Sequence, residues 1–70
     1  MSPLDRLAAH PLPFAVLMGV TFTAASPDEV VARMTVREDL CTAGAIVHGG
    51  ALMALADTVG AAATFLNLPE

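Results

Sequence analysis

Residues 48–66, HGGALMALADTVGAAATFL, hold the longest regular pattern in the chain. Leu52, Leu55, Val59, Ala62 and Leu66 recur at spacings of 3, 4, 3 and 4 residues, as on a helix that buries one stripe. Gly49 and Gly50 open this helix, and the spacing predicts that it runs to Leu66 or Asn67. A second face carries Gly50, Ala54, Asp57, Gly60, Ala61 and Thr64, small residues around a single carboxylate. Small side chains let another backbone come close, so this face is expected to meet protein or ligand rather than water.

Upstream, residues 38–48 read as a loop holding Thr42 and Gly44. Before it, Val30, Ala32, Met34 and Val36 alternate with Val31, Arg33, Thr35 and Arg37, which predicts a strand with one apolar face. Ser26-Pro27-Asp28-Glu29 is turn chemistry, with Pro27 suited to the second position. A preceding strand is expected through Val16, Met18, Val20 and Phe22, with Gly19, Thr21 and Thr23 on its other side. The two strands make an antiparallel hairpin. Residues 3–9, with an early proline and Asp5 in the first turn, predict a short helix or turn that Pro11 and Pro13 end. The fold class is therefore α+β. Two strands and one helix do not close a core by themselves, so a wider sheet is expected around the apolar helix.

Composition removes several function classes. The 70 residues have a net charge of −4, no lysine, and only Arg6, Arg33 and Arg37 as basic groups; a nucleic-acid binder needs a basic stripe. A hydrophobic share of 56% and a mean hydropathy of +0.69 exclude a disordered acidic tail. With Cys41 the only cysteine, no intrachain disulfide forms, and a domain this small buries only about 60% of its unfolded surface. A spanning helix over residues 40–69 is disfavoured. Glycines and His48 interrupt the run, no Lys or Arg flanks it, and Asp57 at mid-helix would cost about 2.5–3.5 kcal/mol to insert. Residues 11–22 mimic the apolar part of a signal peptide, but Asp5 stands beside Arg6 before them and no clear basic region precedes. The chain is read as cytoplasmic.

Asp57 is the first candidate for chemistry. Its sequence neighbours carry no compensating charge, so burial would raise its pKa and poise it as a base; the other reading is a solvent-facing Asp that solubilises an oily helix. Gly49 and Gly50 at a helix start offer free N–H groups and the positive dipole end to an anion or oxyanion, or else simply permit a tight entry to the helix. His48 is a general base or ligand, or, as the reading favours, a histidine that hydrogen-bonds the loop. His10 and His48 share no metal-ligand spacing with each other or with Asp57, so no metal is expected.

The run 40–63, LCTAGAIVHGGALMALADTVGAAA, closely resembles the PaaI-like (phenylacetate-pathway-type) acyl-CoA thioesterases of the hotdog superfamily. His48-Gly49-Gly50 closing a loop and Leu55-Ala56-Asp57 two turns into a helix match that family's two-part motif. The N-terminal helix and strand pair follow its order, so the resemblance covers nearly the whole chain. It implies a hotdog fold, an antiparallel sheet wrapped around a central helix, of which residues 1–70 would be the N-terminal portion of a single domain. It also implies that the Gly49 N–H polarises a thioester carbonyl and that Asp57 is the catalytic carboxylate, as nucleophile or as general base on water. Thr42, His48 and Gly50 would line the substrate site. Thr42 stands where the family often has Asn or Gln, and Ala61 where it often has Thr or Ser, so two polar helpers are replaced.

The substrate implied is an acyl-CoA, with coenzyme A entering only as part of the substrate and no separate cofactor. Nucleic acid and membrane are not expected as partners; a homo-oligomer, dimer or dimer of dimers, is. Tight contacts to the coenzyme A phosphates are expected to come mainly from elsewhere than Arg33 and Arg37. Gly49 and Asp57 are eight residues apart, about 12 Å along a helix at about 1.5 Å per residue. One carbonyl cannot touch both, and a two-fold dimer with antiparallel helices is the simplest arrangement that lets it. The alternative is a non-catalytic hotdog segment that acts only as a pairing chain.

Overall fold

Proline and glycine divide the chain into its elements. The computed structural model describes residues 1–69 and orders them as helix α1 (Pro3–Ala9), helix α2 (Pro13–Met18), strand β1 (Val20–Ala25), strand β2 (Val30–Met34), a 3₁₀ turn at Glu38–Leu40 and helix α3 (Gly49–Leu66). The architecture is α+β, an antiparallel hairpin with helices before and after it. Ser2 caps α1 through a reciprocal capping box with Asp5, and Pro3 occupies its first turn, where a missing N–H costs no bond.

The first strand is shorter than expected. Residues 13–18 are helical, and β1 starts only at Val20. The apolar residues of this stretch satisfy period 2 and period 3.6 equally well, and the flanks decide between them. Pro13 starts the helix, and Gly19, at φ 77° and ψ 32°, ends it in the left-handed conformation that glycine adopts without strain. Ala15 and Met18, one turn apart, are its buried pair. The Arg37 guanidinium then takes the free carbonyls at its end, Nη2 donating to Leu17 O at 2.6 Å and Nη1 to Met18 O at 2.9 Å.

β1 and β2 pair from Val20↔Met34 to Ala25↔Val30, with a bulge between Phe22 and Ala24. The bulge resets the alternation, so Phe22 and Ala25 both turn partly inward while Thr23 and Ala24 are exposed. Ser26 and Glu29 exchange backbone bonds across Pro27-Asp28, and Ser26 Oγ accepts the Asp28 and Glu29 N–H groups. β2 stops at Met34, before the expected Val36 and Arg37.

α3 spans Gly49–Leu66, matching the range predicted by the spacing. The expected stripe is buried at Ala62 and Leu66, half-buried at Leu55 and Val59, and open at Leu52. Thr58, Ala62 and Leu66 are buried, whereas Leu52 is 50% exposed. The uneven burial follows from what α3 packs on, chiefly β2 and α2, which lie under its C-terminal half and one side of its first turns. Asn67 fastens the far end, its Nδ2 donating to Pro27 O in the hairpin turn and to Ala63 O, both at 2.9 Å.

The core is small: Leu7, Ala62 and Leu66, with Phe22, Ala25, Val30 and Phe65 packed around them. The chain measures 44 × 17 × 16 Å with a radius of gyration of 13.0 Å, against about 11 Å for a compact domain of this length. Its accessible surface is 4823 Å², where a monomer of this mass exposes about 4,100 Å². Large apolar side chains lie on that surface: Phe14, Val16, Leu17, Leu52 and Met53 are each at least half exposed. By length and composition alone α3 is long and apolar enough to cross a membrane.

Candidate functional site

The loop leading into α3 reverses within a few residues. An isolated antiparallel bridge joins Cys41 to Val47, and Thr42 N donates to Ile46 O at 2.6 Å. The reversal needs two consecutive left-handed residues, Gly44 at φ 83° and Ala45 at φ 61°; for alanine that conformation costs about 1–2 kcal/mol. His48 N then donates to Leu40 O at 2.8 Å, which hands the chain from the bridge to the helix.

At the start of α3 the orphan N–H groups expected of any helix are accounted for one by one. His48 is the N-cap, and its Nδ1 accepts the Gly50 N–H at 2.7 Å. Ala51 and Leu52 donate to His48 O at 2.9 and 3.2 Å. The Gly49 N–H has no acceptor among the described residues, and a Cβ built on Gly49 meets nothing within 4 Å. One donor at the positive end of an 18-residue helix is thus free and accessible to an incoming group. Gly50 is different, because its Cβ would lie 2.9 Å from His48 Nδ1.

His48 and Gly50 border a cleft of about 380 Å³, together with Phe14 and Leu17 of α2, Arg37, Asp39 and Cys41. Arg37 organises its wall. Besides the two α2 carbonyls it pairs through Nε with Asp39 Oδ1 at 2.6 Å, and its own carbonyl accepts the Cys41 thiol at 3.3 Å. Three of the five Arg37 N–H donors are thus engaged. Arg6 lies 5.0 Å over the Phe65 ring. Arg33, by contrast, is exposed.

Of the residues singled out from sequence, the fold brings His48, Gly49 and Gly50 together and leaves two apart. Asp57 is exposed on α3 and borders neither this cleft nor the larger apolar groove between α1, β1 and the end of α3. Of its two readings, the solvent-facing one describes Asp57 in the single chain, and the face it shares with Gly60, Ala61 and Thr64 is open to solvent. Thr42 is also exposed, its Oγ1 donating to Ala43 O at 3.1 Å. Sequence reasoning missed Arg37 and Asn67. Arg37 reads locally as the outward side of a strand, and its partners lie 19 and 20 residues away. Gly19 carried a usable signal, since a glycine six residues after a proline fits a helix end as well as a strand. No group of three or more potential metal ligands occurs among the described residues.

The chain matches no protein-family description, no curated protein and no solved structure.

Proposed function

We propose that this chain serves a hotdog-fold acyl-CoA thioesterase of PaaI-like type. The free Gly49 N–H at the start of α3 is the observation that carries the reading. It is an unpaired, sterically open donor of the kind that stabilises the oxyanion formed when a thioester carbonyl is attacked. Asp57, exposed on the same helix, supplies the carboxylate. As a general base it takes a proton from water while the water oxygen adds to the carbonyl carbon. Collapse of the tetrahedral adduct breaks the C–S bond, and coenzyme A leaves as a thiol. As a nucleophile it adds to the carbonyl carbon and expels coenzyme A as its thiolate, breaking the C–S bond to leave a mixed anhydride that water then opens. Either route yields the free acid.

The two groups stand about 12 Å apart along one helix, so the proposed site is shared across a two-fold dimer, Gly49 of one subunit facing Asp57 of the other. The exposed apolar side chains and the exposed small-residue face of α3 support such pairing. The decisive assay is acyl-CoA hydrolysis followed chromatographically, because the Cys41 thiol would react with thiol-detecting dyes. Asp57→Asn is expected to lower kcat by about 10²-fold or more. A folded protein that turns over no acyl-CoA, or whose turnover survives Asp57→Asn, refutes the proposal. The same exposed surface favours a second reading, a pairing chain without catalysis, for which the protein associates with a partner and hydrolyses nothing.

A further inference from the structure

We propose that His48 is a positioning residue: its imidazole holds the first turn of α3 so that the Gly49 N–H is the free donor, and it does so only while Nδ1 carries no proton. The inference rests on the thioesterase reading for its catalytic consequence and on the placement of one ring nitrogen against Gly50 for its structure. The cap bond from Gly50 N to His48 Nδ1 is 2.7 Å, and the same nitrogen lies 2.9 Å from where a Gly50 Cβ would sit, with Cε1 at 3.1 Å. The imidazole therefore occupies the space that any larger residue at position 50 would need. His48 and Gly50 are a matched pair.

A neutral imidazole accepts through one nitrogen and donates through the other; a protonated one accepts nothing. Proton uptake removes the cap and also sets a positive charge against the positive end of the α3 dipole. The surroundings do not offset that charge. Around the cleft, α2 contributes Phe14, Leu17 and Met18, and α3 contributes Gly50, Ala51 and Ala54, none of them charged. The titratable or charged groups facing it are Cys41 and the Arg37–Asp39 pair, in which the carboxylate is already bound to the guanidinium at 2.6 Å. With the cap gone the Gly50 N–H competes as a second free donor and the turn that aims Gly49 loosens.

Amide hydrogen exchange of residues 50–52 in the whole chain, without substrate, tests this. After correction for the intrinsic exchange rate, wild-type protection should fall about fivefold from pH 8 to pH 5, the scale of a lost N-cap. His48→Ala should lack that protection at both pH values, and Gly50→Ala, which displaces the imidazole, should resemble it. His48→Asn, which caps without titrating, should restore protection and remove the pH dependence. Equal protection in wild type and His48→Ala at pH 8, the same pH dependence in His48→Asn, or no protection of these amides in wild type overturns the inference. The two readings fail separately: a pH-dependent cap in a protein that hydrolyses no acyl-CoA sinks the thioesterase reading alone, and hydrolysis with pH-independent exchange sinks the cap alone.

Discussion

Replacing Gly49 with proline removes one N–H from the helix start, and the local geometry makes it a clean deletion. Gly49 is the first helical residue, the position where proline is tolerated because its N–H has no intrahelical acceptor. The residue before a proline must be extended, and His48 already is, at φ −68° and ψ 135°. No backbone bond is lost, since nothing among the described residues accepts from that N–H. Stability should hold or rise by about 0.4–1 kcal/mol as the unfolded chain loses freedom. Activity should not hold. Loss of one oxyanion donor costs about 2.7–4 kcal/mol in the transition state, or about 10²–10³ in kcat. Gly49→Ala is the control: it keeps the donor, and its Cβ meets nothing within 4 Å, so kcat should stay within about threefold of wild type if the N–H rather than the open space matters. Acyl-CoA turnover measured by chromatography, with thermal melts of each variant, reads all three quantities. Full activity in Gly49→Pro would remove the donor from the mechanism. Equal inactivity in both variants would show that bulk, not the missing N–H, is responsible, and a Gly49→Pro protein that melts well below wild type would refute the placement of Gly49 at the helix start.

Three further outcomes are expected. Refolding an equimolar mixture of Asp57→Ala and Gly49→Pro subunits should return about a quarter of wild-type turnover, since half the dimers are mixed and each holds one intact shared site; demonstrated heterodimers with no recovery eliminate the shared site. Arg37→Ala should destabilise the chain by about 1.5–3 kcal/mol, the scale of charge-assisted bonds to the α2 carbonyls, whereas Asp39→Ala, which breaks only an exposed pair with side-chain exposures of 39% and 73%, should cost less than about 1 kcal/mol; similar denaturation midpoints for the two variants would contradict the clamp. Ala45→Gly should stabilise by roughly 0.5–1 kcal/mol, the strain released at φ 61° less the entropy of a new glycine, and a lower denaturation midpoint than wild type would count against that strain.

The sequence by itself determined the elements whose causes are local. The limits of α3 follow from a long helical period opened by Gly49-Gly50, and the hairpin turn from Ser26-Pro27-Asp28-Glu29, because turn and cap bonds join residues only a few positions apart. The loop-to-helix motif around His48 was legible for the same reason. Tertiary structure decided what depends on distant partners. It fastened the helix over residues 13–18, whose ends Pro13 and Gly19 already mark, by bringing Arg37 from far along the chain onto the helix-end carbonyls. It buried the expected stripe of α3 fully only at Ala62 and Leu66, with Thr58 beside them, and left Leu52 outside, since a period states that a helix has a buried side but not how far along it a neighbour lies. It also left Asp57 in solvent. Burial is a property of what packs on a residue, and no pattern within one helix can specify that.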